Sequence, residues 1–173
     1  MGLIAITSGE RARVTKPMPE TVLNGLSGTV RHMLTDGQGV RNMQEARLFF
    51  EAGLARDAAR HANEEDIARL QEALAENRRA MGDTQAFERT DVNFHCVLAE
   101  IPGNPVFVAI HEAVVEWLTV QRHQSLMNEG AAQNAYDWHA KIFRAVADHD
   151  VDGAERAMHG HLDDVSQYYW RAE

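Results

Sequence analysis

Apolar residues recur at helical spacing from about residue 20 to the end of this chain, and alternate only before that point. The first stretch holds a short apolar run, Leu3-Ile4-Ala5-Ile6, then a Ser8-Gly9 turn, then alternating residues from Arg11 to Val14 that stop at Pro17. That pattern predicts a small β-hairpin over residues 1–17, which is marginal in water unless it packs on something. Val22, Leu26, Val30 and Met33/Leu34 then form a helical stripe that is expected to break at Gly37 and Gly39. Met43, Phe50, Leu54 and Ala58 mark a second helix, ending near Ala62. Asn63 is placed to cap a third, with Glu64, Glu65 and Asp66 favourably set in its first turn and Gly82 as its stop. A fourth helix opens at Thr84 and carries Phe87, Phe94, Val97 and Leu98. The break Ile101-Pro102-Gly103-Asn104-Pro105 puts a capping Asn and an N1 proline before a fifth helix that runs to about Met127. A sixth follows Gly130 and ends near His149, and the last spans Val151 to Trp170. Seven amphipathic helices with short links predict an all-α antiparallel bundle.

Composition narrows the reading in two ways. A length of 173 residues suits one packed domain, and no apolar run approaches the ~18 residues a membrane helix needs. No secretory leader pattern opens the chain, and its single cysteine fits a reducing cytoplasm. More telling is the charge: 17 Lys plus Arg against 26 Asp plus Glu give a formal net of −9. Binding DNA rests on cations that displace phosphate counterions, and only Arg11, Arg13 and Lys16 form a basic stretch. The chain is therefore not expected to hold DNA alone.

The candidate chemistry lies where polar residues interrupt apolar stripes. Asp91 and His95, four apart, share the arc of Phe87, Phe94 and Leu98 on the fourth helix. His139 sits at the edge of the Ala135, Trp138, Ile142 and Val146 stripe, and His161 in the middle of the last helix's stripe. From Asp150, in the turn between those helices, His139 lies 11 residues back and His161 11 residues on, so an antiparallel pair can bring them level. Burying an imidazole or carboxylate is costly unless it is paired or bound to metal. Three imidazoles and one carboxylate suit zinc, and equally nickel, iron or manganese. Each histidine taken alone reads more readily as a satisfied core or surface group, and it is the four lying together on inward arcs that favours a site.

Arg47 interrupts the second helix between Met43 and Phe50. Its fork can hold a ligand carboxylate, or it can form a buried salt bridge with Glu51. Arg122 is a second candidate to face the interior and bind ligand. His32, His61, His111, His123, His149 and His159 read as structural or solvated, and Cys96 as a small core residue.

The run Arg89-Thr90-Asp91-Val92-Asn93-Phe94-His95, the break Gly103-Asn104-Pro105, and His139 and His161 in the last two helices resemble the FCD effector domain of the FadR branch of GntR transcription regulators. Arg47-Leu48-Phe49-Phe50-Glu51, the continuous stretch Asp91 to Pro105, and Gly9-Glu10-Arg11-Ala12-Arg13-Val14 resemble that branch's sialic-acid-responsive repressors. The resemblance covers nearly the whole chain. It implies a six- or seven-helix antiparallel bundle over residues 18–173 with a central metal, usually zinc, bound by Asp91, His95, His139 and His161. It further implies an acidic effector, N-acetylneuraminate or a related sugar acid, bound beside that metal with Arg47 near it. A homodimer is expected, and no catalysis. In the family a winged helix-turn-helix precedes the bundle, and residues 1–17 resemble the remnant of its basic wing. The recognition helix is missing from the sequence, through truncation or a late start, so DNA is expected to be reached only through a winged-helix domain largely absent here.

Two other functions fit the residues. A metal with open positions can activate water, which would make the chain a metalloenzyme acting on a sugar acid. A metal-free helical interaction module with incidental histidines is the other. Neither acid–base roles nor a hydrolase motif is visible.

Overall fold

A computed structural model of the chain describes residues 4–5, 13–14 and 18–171. Two short strands, β1 (Ile4–Ala5) and β2 (Arg13–Val14), pair antiparallel with Ile4 opposite Val14. The rest of the hairpin expected over residues 1–17 lies outside the described residues.

Nine helices follow among the described residues: α1 (Pro19–Asn24), α2 (Ser27–Met33), α3 (Gly37–His61), α4 (Glu64–Arg79), α5 (Thr84–Glu100), α6 (Pro105–Trp117), α7 (Thr119–Leu126), α8 (Ala131–Ala147) and α9 (Val151–Arg171). The all-α bundle matches expectation, while the count rises from six or seven because two expected helices are each divided. The first splits into α1 and α2 at Gly25-Leu26. Its apolar stripe is also largely outside the core: Val30 is buried, but Val22 is 60% exposed and Leu26 47%. The fifth splits at Leu118, whose φ/ψ of −98°/16° leave the helical range while its side chain is buried. The Thr119 hydroxyl donates to the carbonyls of Val115 and Glu116 at that break. Spacing alone does not reveal such a break, because the apolar rhythm continues through it.

Other ends follow their caps. Asn63 and Asp66 form a reciprocal capping box at the start of α4, each side chain accepting from the other's backbone N–H. Asn104 caps α6 ahead of Pro105. The break expected at Gly37 and Gly39 is instead the first turn of α3. Asp36 caps that helix by accepting from Gly39 N at 2.7 Å, and a Cβ at Gly39 would lie 1.7 Å from the Met33 carbonyl oxygen.

The main core gathers α3, α4, α5, α8 and α9 around Phe94, Leu98, Leu70, Ile142 and Met158. α9 packs between α3, α7 and α8, and α4 lies against α5 and α8. Small residues make the close approach possible: Ala55, Ala58 and Ala59 of α3 and Ala154 of α9 are fully buried. At Gly160 the packing is tighter still, since a Cβ there would sit 2.3 Å from Cη2 of Trp138 on α8. Trp138 is also tied to α9 by its indole N–H, which donates to Asp164 at 2.8 Å. The residues that follow Gly160 and Trp138 in sequence are His161 and His139.

Candidate metal centre

α5 presents Asp91 and His95 from one face, α8 presents His139, and α9 presents His161. All four side chains are buried, and each offers one ligand atom such that the four atoms lie within 4.8 Å of one another. His95 Nε2 is 3.2 Å from His161 Nε2, and His139 Nε2 is 3.5 Å from Asp91 Oδ1. The His139 and His161 rings meet edge to face with centroids 4.7 Å apart, and His139 stacks on Phe94 at 4.4 Å. The four residues expected to converge therefore do so.

Electrostatics favour electron-pair donors here. Burial first, then His161 and His95, hold His139 well below the usual imidazole range. Burial, then His95 and Arg47, do the same for His161. Burial pushes the Asp91 carboxyl up, with His95, Arg47 and Arg122 opposing it. Without a further group the arrangement is poorly satisfied. His139 Nε2 is buried with no hydrogen-bond partner, and two imidazole nitrogens face each other across 3.2 Å, a gap that accommodates at most one proton. A divalent transition ion fits this donor set of three nitrogens and one oxygen. His139 is also oriented for it: its Nδ1 lies 3.0 Å from Asn77 Oδ1, and Asn77 in turn donates to Thr90. With Nδ1–H donated to Asn77, Nε2 keeps its lone pair toward the centre.

Arg47 is buried and engaged by Glu51, Nε to Oε1 at 2.6 Å, so the salt bridge left open from the sequence is present. Burial works against both charges of this pair. Glu51 more than offsets it for Arg47, whose guanidinium stays protonated, and Arg47, with His95 and His111, brings the Glu51 carboxyl well below its usual range. Arg122 is buried too, its Nε 3.5 Å from Glu88 and without a good hydrogen bond. Both arginines line two small cavities beside the cluster. One, of about 10 Å³, is bordered by Asp91, His161, Asn134 and Tyr168. The other, of about 20 Å³, reaches Gln44, Gln121 and Tyr169. Each has room for about one water molecule. The buried Gln121 Oε1 is another acceptor without a partner.

Sequence reasoning missed His111. Expected to be structural or solvated, it is not solvated: it is 1% exposed and stacked on His95 with centroids 6.3 Å apart. Its Nδ1 is 3.9 Å from Glu51, and neither ring nitrogen has a hydrogen-bond partner. Burial pushes its pKa down to about 4. Phe107, His111 and Val114 share one arc of α6, the same kind of signal that singled out His95. Of the remaining histidines, His32, His61, His123 and His149 are exposed and His159 half-buried. Cys96 is half-buried near Glu100 and takes no part in the cluster.

Comparison with known proteins gives the family and the fold. Residues 42–164 match the FCD domain family. The chain is 44% identical over 167 residues to the HTH-type transcriptional repressor NanR of Salmonella newport (strain SL254), and equally to that of Salmonella typhimurium. The match takes in 95% of this chain but 64% of those repressors, so the chain spans less than two thirds of their length. These relatives carry the names of repressors, not enzymes. Among solved structures, Streptococcus agalactiae GntR superposes with a TM-score of 0.68 at 18% identity, over 96% of this chain and 75% of that one. Lar, which controls expression of the Listeria monocytogenes agr system, superposes at 0.64 and 13% identity, over 99% of this chain and 74% of its own. Those two likenesses establish the fold. The match over residues 42–164 settles kinship: this chain belongs to the FCD domain family.

Proposed function

We propose that the chain is the effector-binding domain of a GntR-family transcription regulator. In this reading it senses a small carboxylate, N-acetylneuraminate or a related sugar acid, at a divalent transition metal, zinc foremost. Asp91, His95, His139 and His161 hold the metal, and Arg47 and Arg122 line the way to the effector. The observation that carries the proposal is the convergence of four buried donors within 4.8 Å, beside cavities lined by two arginines. When bound, a dication supplies positive charge and open coordination positions. Arg47 is balanced by Glu51, and Asp91 offsets one of the metal's two charges, which leaves a local excess of positive charge for an anion to complete. Buried orphans at Gln121 and Arg122 offer hydrogen-bonding to a polar ligand.

The same reading makes the protein a homodimer that reaches DNA through a winged-helix domain. Effector binding changes regulation by favouring one packing of the helices over another, which requires unequal affinity for the two. The 44% identity to named transcriptional repressors supports this role.

The test is metal analysis and thermal denaturation of the purified chain. One transition metal per chain is expected. Chelation is expected to lower the melting temperature, and N-acetylneuraminate to raise it when metal is present. A protein with no bound metal whose melting temperature ignores chelator and every carboxylated metabolite tried would overturn the proposal.

A further inference from the structure

We infer that Glu51, held by Arg47, is the positioning residue that fixes the His95 ring with Nδ1 protonated and Nε2 turned to the metal centre. The inference rests on the metal reading above and concerns a residue outside the four donors.

Glu51 is 1% exposed on α3 and has two short contacts, one for each oxygen. Oε1 accepts from Arg47 Nε at 2.6 Å, and Oε2 stands 2.6 Å from His95 Nδ1. The second contact is close without the alignment of a good hydrogen bond. Its distance still decides the tautomer. A carboxylate oxygen and an imidazole lone pair repel at 2.6 Å, so Nδ1 must carry the hydrogen. In the neutral ring Nε2 then keeps its electron pair, and Nε2 is the atom that faces His161 across 3.2 Å.

The ring is also confined. His161 stacks against it with centroids 5.1 Å apart at 23°, and His111 lies beyond it at 6.3 Å and 18°. His95 therefore has little freedom to rotate or present the other nitrogen. Arg47 completes the device, because a buried carboxylate without a cation would cost far more to keep charged. The i,i+4 spacing of Arg47 and Glu51 makes them neighbours on one face of α3. His139 is oriented by a neutral Asn77 and His95 by an anion, so the three imidazoles are not equivalent donors. A carboxylate behind an imidazole strengthens it as a ligand. Arg47 thus serves the metal centre as well as lining the cavities.

Nitrogen-15 NMR of the histidine rings in the metal-free full chain, with Glu51→Gln as the variant, tests this. The wild type is expected to show His95 as the Nδ1–H tautomer, and the variant to shift that signal while His139 stays unchanged. Competition for Zn²⁺ against a chromophoric chelator should show a 10- to 100-fold weaker affinity in the variant. A His95 carrying its hydrogen on Nε2 in the wild type would overturn the inference, even if the variant fails to fold. So would a folded variant that binds Zn²⁺ as tightly as wild type. A wild type that binds no Zn²⁺ would defeat the metal reading instead, and the ring signal would still decide the tautomer.

Discussion

Gly160 lies against the Trp138 indole so closely that a single added methyl group would stand 2.3 Å from Cη2. This contact sets how near α9 comes to α8, and the two histidines those helices contribute follow it directly in sequence. Gly160→Ala is expected to push the helices apart, to destabilise the fold by about 1–3 kcal/mol, and to weaken metal binding. Thermal denaturation and chelator competition on the same preparation measure both. A variant with unchanged stability and affinity would show that the approach at Gly160 does not govern the centre.

The metal-free protein should lose stability as the pH falls from about 6.5 toward 4. His111 is the residue that defines this window. Burial first pushes its pKa from 6.5 in a free chain down to about 4 in the fold, with Glu51 opposing the fall and His95, Arg47 and Arg122 adding to it. Between those values the unfolded chain takes up a proton that the folded one refuses. The stabilisation is therefore complete above pH 6.5 and is lost on acidification, by roughly 3 kcal/mol for this group. His139 and His161 are shifted in the same direction, while Asp91, shifted up, opposes them near and above its free-chain value. His111→Leu should flatten the slope over pH 4–6.5 in denaturant titrations at several pH values. An equally steep slope in that variant would remove His111 from the explanation.

Arg122→Gln separates effector binding from metal binding. Arg122 borders both cavities but supplies none of the four donors. Losing one charge-assisted contact to an anion costs about 1.5–3 kcal/mol, or a factor of about 10–100 in affinity. Calorimetric titration with N-acetylneuraminate should show that loss while metal content stays at one per chain. Equal loss of metal would place Arg122 among the supports of the centre.

Cys96 should be a sluggish thiol. Burial, then Glu100 and Glu112, push its pKa up to about 11, so little thiolate exists at neutral pH. Reaction with a disulfide reagent at pH 8 is expected to be far slower than for a free thiol and to accelerate as the pH approaches 11. Fast labelling at pH 7 would contradict the environment described here.

Much of this architecture was legible in the chain because the informative residues are local. Asn63, Asn104 and Gly130 mark helix ends through short-range geometry, and Asp91 with His95 declares a shared face by its spacing alone. The convergence with His139 and His161 was open to inference because the turn at Asp150 sets equal arms. Part of what escaped was long-range. The break at Leu118 depends on packing against a core the local pattern does not describe. Gly37 and Gly39, expected to interrupt, begin a helix because Asp36 caps it. His111 shares an apolar arc of α6 with Phe107 and Val114, but no partner on its own helix points to the carboxylate it faces. Arg47 showed both of its options in the sequence, and only the fold revealed that Glu51 is within 2.6 Å of it.

The chambers beside the four donors have room for about one water each. Under the sensing role proposed above, a molecule as large as a sugar acid would enter only as the surrounding helices part, and the opening rate would cap the speed of capture. With rising effector concentration the observed association rate should level off at a plateau instead of climbing without limit. In the proposed sensing role the guest acts as a wedge, and the changed outline of the occupied protein is the signal an attached domain would receive.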